Sequence, residues 1–215
     1  MALITTDVVV LRCYAMGEGD RIVVFLTADR GKKRGVARHA GQSRRRFGAG
    51  LEPLTVGRMT FREREGRDLA FIEDMAPVRS PLQRAVVCED ALGCLSYVAE
   101  LIDEWAPDND PNEPLYRLVR AVMDAFVAGV AIGPLTRYFE YWLLRLQGVY
   151  AVPDGASAGA RAFLEQARAC GPQALATVTV PTSVLDELTV AHRRLMAHYL
   201  DKDMKSARVW REMQR

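Results

Sequence analysis

Short runs of β-branched and aromatic residues, punctuated by glycine, make up the first third of the chain. Residues 6–13 are rich in Val, and residues 21–27 (Arg-Ile-Val-Val-Phe-Leu-Thr) form a second such run. Met16-Gly17-Glu18-Gly19-Asp20 separates them as a turn, and Asp29-Arg30-Gly31 leads to a candidate third strand over 33–39. Residues 54–65 alternate: Val56, Arg58, Thr60, Arg62 and Arg64 share one side, and Met59 and Phe61 the other. Gly66-Arg67-Asp68 reads as a hairpin turn into a strand over 69–75. Residues 41–50, polar, basic and glycine-bearing, read as a loop. Five strands within about 70 residues predict a small β-barrel of the OB type.

After Pro77 the apolar period lengthens to three and four. Val87, Ala91, Cys94, Val98 and Leu101 mark one helix, which Pro107-Asp108-Asn109-Asp110-Pro111 ends. Leu115, Leu118, Val122, Phe126 and Val130 predict a second helix; Leu135, Phe139, Trp142 and Leu146 predict a third. Residues 161–170 suggest a short helix, and Val184, Leu188, Ala191, Leu195 and Tyr199 a longer one before a basic final helix. The expected class is α+β. A five-stranded OB-type β-barrel domain over residues 1–79 precedes an all-helical domain over 80–215.

Composition narrows the classes. The chain has 215 residues, 49% of them hydrophobic and 26% charged, as in soluble globular proteins and unlike disordered ones. No apolar run approaches the ~20 residues that span a bilayer, so no membrane association is expected. The N-terminus has no charged region ahead of an apolar stretch, and four scattered cysteines suit a reducing cytoplasm. The net charge of +2 conceals an asymmetry, because residues 1–80 hold 15 Lys+Arg against 10 Asp+Glu. Basic ends around an acidic middle suit a polyanion partner.

No enzyme is expected. Walker A, dinucleotide and G-x-S-x-G patterns are absent, as is a C-x-x-C pair, so neither cofactor nor metal is expected. The strongest local feature is the run 30–46, with eight Lys/Arg and no acid. Lys32, Lys33, Arg34, Arg38, Arg44, Arg45 and Arg46 are candidate phosphate contacts, since such a density binds nucleic-acid backbone by releasing counterions. Arg58 and Arg62 extend the track or else pair across strands with acids such as Glu73 and Asp74. Phe47, in the loop beside the triple arginine, is the candidate stacking ring, while Phe25, Phe61 and Phe71 read as core. Residues 89–113 carry eight acids and no Lys/Arg, read as a solvated helix face or, alternatively, a dock for a basic partner.

Four stretches resemble the RecO family of bacterial recombination mediators. They are Val10-Leu11-Arg12 with Gly19-Asp20-Arg21-Ile22-Val23, then Gly31-Lys32 with Val36-Ala37-Arg38 and Leu51-Glu52-Pro53-Leu54. Arg137-Tyr138-Phe139-Glu140 with Leu143-Leu144 and Gly148 follows, and His198-Tyr199-Leu200 with Lys205-Ser206 and Arg208 closes the series. The family's V-A-K-G-A-R is altered here to Val36-Ala37-Arg38-His39-Ala40-Gly41, and its four-cysteine zinc region keeps only Cys170. The resemblance implies a non-enzymatic mediator that binds single- and double-stranded DNA through the barrel and anneals strands. It also implies engagement of the acidic tail of the single-stranded-DNA-binding protein by the helical domain, with Arg137 as the tail-binding residue or else paired with Glu140 or Asp124. RecR, often alongside RecF, is the implied partner in helping RecA replace that protein, at the bacterial nucleoid. Two rivals remain: an OB protein of RNA metabolism or another pathway, and a protein-recruiting adaptor whose basic loop only solubilises.

Overall fold

The structure, a computed structural model, describes residues 2–43, 45–64, 66–88 and 90–213, of Met213 the backbone only. Five strands close a barrel in the order β1-β2-β3-β5-β4: β1 (Ala2–Met16), β2 (Asp20–Thr27), β3 (Lys32–Ala37), β4 (Val56–Glu63) and β5 (Leu69–Arg79). Among these five strands, β3 and β5 are the pair that runs parallel. β1 is longer than its apolar run because it serves two neighbours. Residues 2–9 pair with β4, residues 8–16 pair with β2, and a register shift between Val10 and Arg12 turns the strand from one to the other.

The alternation in β4 places Met59 and Phe61 inside, where Phe61 meets Phe25 edge-on at 5.3 Å between centroids. Val8, Val10, Val23, Ala70, Ile72 and Met75 complete the interior. The β3–β4 loop plugs one end of it with Phe47 and Leu51, and the Met75 amide donates to the Arg46 carbonyl at 2.9 Å.

Among the described residues seven α-helices follow: α1 (Leu82–Val87), α2 (Ala91–Trp105), α3 (Glu113–Val127), α4 (Ile132–Leu146), α5 (Ala158–Ala169), α6 (Thr182–Leu200) and α7 (Lys205–Met213), with a 3-10 turn at Pro172–Thr177. Asn112 caps α3 by accepting from the Leu115 amide at 3.1 Å, and Ser157 caps α5 through the Ala160 amide at 3.1 Å. The stripe expected to run from Val87 begins instead at Ala91; Val86 and Val87 are exposed on the separate helix α1.

The outer face of β1 and β2 is also apolar. Val9, Leu11, Val24 and Leu26, with Leu54 and Val56, join the core of the helices. Ion pairs reinforce this junction. Arg12 Nε lies 2.6 Å from Asp103, and Lys32 Nζ lies 3.2 Å from Asp103 and 3.4 Å from Asp108. The loop after α2 runs beside β3: the Lys32 amide donates to the Pro107 carbonyl, and the Asn109 amide to the Lys32 carbonyl. Gly31 permits this approach, since a Cβ there would strike the Asp110 backbone. Part of the acidic stretch thus faces the chain's own cations. Glu104 pairs with Lys202, and Glu100 accepts from the Lys205 and Ser206 amides at the start of α7.

Candidate nucleic-acid interface and a second groove

The outer face of β3 and β5, away from the helices, forms a shallow groove of about 740 Å³. Strand alternation sends Ala70 and Ile72 inward, so Leu69 and Phe71 face outward; Phe71 pairs with Val36 across the parallel ladder. These three apolar side chains make the floor. Met16 and Asp20 flank it from the β1–β2 turn, and Gly66, Arg67 and Asp68 from the β4–β5 hairpin. Arg38 and His39 stand at the rim, with the Arg38 guanidinium 5.3 Å from the centroid of the Phe71 ring. His39 has φ +54°, and its amide is held by Asp20 Oδ1 at 2.8 Å. OB barrels bind oligonucleotides over strands 2 and 3 and between the β1–β2 and β4–β5 loops; this groove shares β3 and both of those loops.

A second hollow, of about 250 Å³, continues past the same hairpin. Lys33, Arg34, Arg64 and Arg67 line it with Glu63, Asp68 and Asn109. Arg38, Arg67, Arg64, Lys33 and Arg34 therefore form a cationic track that stops at Asp108, which lies 3.7 Å from Arg34.

The ten sequence candidates separate on this geometry. Arg38 and Arg45 are exposed, with no carboxylate partner among the described residues. Lys33 reaches the track but pairs with Glu63 at 2.6 Å. Lys32 is only 7% exposed, and its ammonium is held by Asp103 and Asp108, so it braces the barrel against α2 rather than facing a phosphate. Arg46 ties down its own loop, donating to the Arg38 carbonyl at 2.7 Å and to Ser43 Oγ at 3.1 Å. Arg58 pairs with Asp7 and Arg62 with Glu73, and neither lines the groove. Arg44 lies outside the described residues. Phe47 is a correction: its ring is 1% exposed inside the barrel and cannot stack on a base. Phe71, read as core, is the ring on the groove. Its outward position was available from alternation with Ala70 and Ile72.

The helical part has its own groove, of about 480 Å³, between α4, α6 and α7. Ile132, Leu185 and Trp210 give it apolar walls, and Arg193 and Arg211 also line it. Trp210 is seated where Gly93 leaves room on α2, since a Cβ there would meet the indole. Arg137 is 5% exposed, and its Nη2 donates to Glu140 Oε1 at 2.8 Å. Tyr97 Oη donates to the same oxygen at 2.7 Å, and His192 Nδ1 lies 3.0 Å from Oε2. Nδ1 carries the proton toward that carboxylate in the arrangement that satisfies the network. Burial, and then the Glu140 charge, hold the Tyr97 phenol well above its ordinary range, so it remains a donor. Arg137 Nη1 is buried without a hydrogen-bond partner. The local pairing with Glu140 is therefore present, and it leaves a second guanidinium nitrogen uncommitted.

Among the described residues, no three His, Cys, Asp or Glu side chains gather as a metal-ligand set. No helix among them is long and apolar enough to cross a membrane.

Comparison with known proteins gives two family matches, "Recombination protein O N terminal" over residues 1–81 and "Recombination protein O C terminal" over residues 90–154. The chain is 42% identical over 149 residues to a DNA repair protein RecO of Koribacter versatilis, covering 69% of this chain and 59% of that protein. It is 41% identical over 143 residues to a DNA repair protein RecO of Anaeromyxobacter sp. (strain K), covering 66% and 55%. A DNA repair protein RecO of Geobacter metallireducens is 31% identical over 172 residues, covering 80% and 65%. The chain thus spans between 55% and 65% of the length of these three relatives.

Proposed function

This chain belongs to the RecO family of DNA repair proteins, and from that premise we propose that it is a non-enzymatic recombination mediator. In this reading the barrel binds single- and double-stranded DNA and brings complementary strands together. With RecR, and alongside RecF, the protein helps RecA replace the single-stranded-DNA-binding protein, in the bacterial cytoplasm at the nucleoid. The observation that carries the reading is the groove on β3 and β5, where an apolar floor sits beside a cationic track. Phosphates set on such a track release counterions without reading sequence, which is what a mediator on arbitrary strands requires.

The groove around Arg137 supports the second half of the reading. The tail of the single-stranded-DNA-binding protein is acidic and ends in an apolar residue. Its terminal side chain suits the walls given by Ile132, Leu185 and Trp210, and its carboxylates suit Arg193, Arg211 and the free nitrogen of Arg137.

The test titrates the full chain with a labelled tail peptide and, separately, with a labelled oligothymidylate. Leu185→Glu places a carboxylate in the groove and leaves the Glu140 network intact. It should weaken the peptide at least tenfold, about one charge-assisted interaction, and leave the oligonucleotide unchanged. Peptide affinity that ignores Leu185→Glu would move the tail elsewhere. A wild-type chain that does not bind the oligonucleotide at low salt would overturn the reading as a whole.

A further inference from the structure

The cationic track explains attraction to any phosphate chain, but not why its floor is apolar. Val36, Leu69 and Phe71 lie together on the outer barrel surface, and Leu69 and Phe71 are not covered by the helices. Phe71 is half-buried between β3 and β4, with one guanidinium laid against it. A duplex offers this floor only sugars and phosphates, because its bases are stacked inside. A single strand offers unpaired bases, whose faces suit both the ring and the planar guanidinium. The groove of about 740 Å³ has room for a base beside the ring, and the cations of Arg38 and Arg67 lie where the flanking phosphates would follow. Of the two acids that line the groove, Asp20 is committed to the His39 amide, and Asp68 lies in the hairpin next to Arg67.

We propose that Phe71, with Arg38 over it, is a stacking subsite for an unpaired base, through which the barrel distinguishes a single strand from a duplex. The proposal rests on the barrel groove as the DNA interface and adds to it the residue that senses strandedness. Phosphate contacts set the salt dependence for both ligands. The Phe71 contact is made by single strands alone and carries no salt dependence of its own.

Phe71→Ala removes the ring from an outward position and leaves Ala70 and Ile72 in the interior. Binding of labelled oligothymidylate and of a duplex of equal length would be measured for the wild-type and variant chains across a salt series. The expected result is a roughly five- to hundredfold weaker single-strand affinity for Phe71→Ala. Duplex affinity and both salt slopes should stay unchanged, and an abasic strand should not distinguish the two proteins. Phe71→Trp should keep the affinity, and its indole emission should be quenched by oligothymidylate and not by duplex. The native tryptophans, Trp105, Trp142 and Trp210, all lie on helices, so the wild-type chain gives the background. An unchanged single-strand affinity in Phe71→Ala, or an equal loss for single strand and duplex, would overturn the subsite while leaving the cationic track standing. A wild-type chain that binds neither ligand would overturn both.

Discussion

The barrel groove and the helical groove both set an arginine beside aromatic side chains, yet they hold the cation in opposite ways. Arg38 is exposed, lies over one face of Phe71 and has no carboxylate partner among the described residues. Arg137 is buried, and Glu140 fixes one of its nitrogens. An exposed cation in water interacts with any phosphate within reach, weakly and without orientation. A buried guanidinium held on one side presents its remaining donor in a single direction, which suits recognition of a single carboxylate. The barrel groove suits many small, interchangeable contacts and the helical groove one placed contact.

That contrast breaks most visibly at Glu140. Its carboxylate accepts from Tyr97 and Arg137 and faces His192 Nδ1, all inside the helical core. Glu140→Gln keeps the shape and removes the charge, leaving the buried Arg137 guanidinium without its counter-ion. The expected cost is about 3–5 kcal/mol, or a fall of roughly 6–20 °C in Tm for a chain of this size. The barrel counterpart is Glu73→Gln, which frees the exposed Arg62 and should cost no more than about 1 kcal/mol. Thermal unfolding by circular dichroism compares the two. Equal shifts would mean that burial does not separate the regions.

Alkali gives the next largest separation. Burial raises the Cys94 thiol from its ordinary value of 9.0 to about 11. Below pH 9 folded and unfolded chains both hold this proton, and Cys94 adds no pH dependence. Between pH 9 and 11 the unfolded chain releases it while the folded chain keeps it, so stability falls as pH rises. The loss totals about 3 kcal/mol. The buried phenol of Tyr97 shifts in the same direction. Denaturant unfolding from pH 8 to 11 should therefore show a decline that is shallower in Cys94→Ala. Cys13, in the barrel, is also raised by burial but is only half-buried, so Cys13→Ala should flatten the curve less. The reverse order would place the alkali-sensitive group in the barrel.

The parts legible in the sequence were those with a period. The Met59/Phe61 alternation gave the barrel interior, and the three- and four-residue stripes gave the helices apart from the break between Val87 and Ala91. The Arg137–Glu140 pair was open to reading because residues three apart on a helix are neighbours. The burial of Phe47 is not legible because a loop has no period to show which way a ring points. Phe71 is the converse case: its residue type points to the core, whereas its place between the inward Ala70 and Ile72 points it outward. Lys32 could not have been read at all: Asp103 lies 71 residues away, and only the fold joins them. His192, six residues before His198, gave no sign that its partner would be Glu140.

The smallest effect tests which arginines belong to the track. On single strands each phosphate contact contributes about 0.7 to the slope of log K against log salt. Arg38 lines the groove with no carboxylate to give up, so Arg38→Ala should reduce the slope by about 0.7. Arg62, 2.8 Å from Glu73, and Arg58, 3.3 Å from Asp7, lie on β4 and line neither the groove nor its continuation. For these two to meet a phosphate, an existing pair must first open, exchanging one carboxylate contact for another anion with little net ion release. Arg62→Ala and Arg58→Ala should therefore leave the slope unchanged. The measurement is oligothymidylate affinity for the three variants over a salt series. A slope reduced equally by Arg62→Ala and Arg38→Ala would mean that Arg62 is neutralised by mobile ions rather than by Glu73 before it meets a phosphate. The strand would then wrap from β5 onto β4, and the cationic track would extend past Phe71 to its partner across the ladder, Arg62.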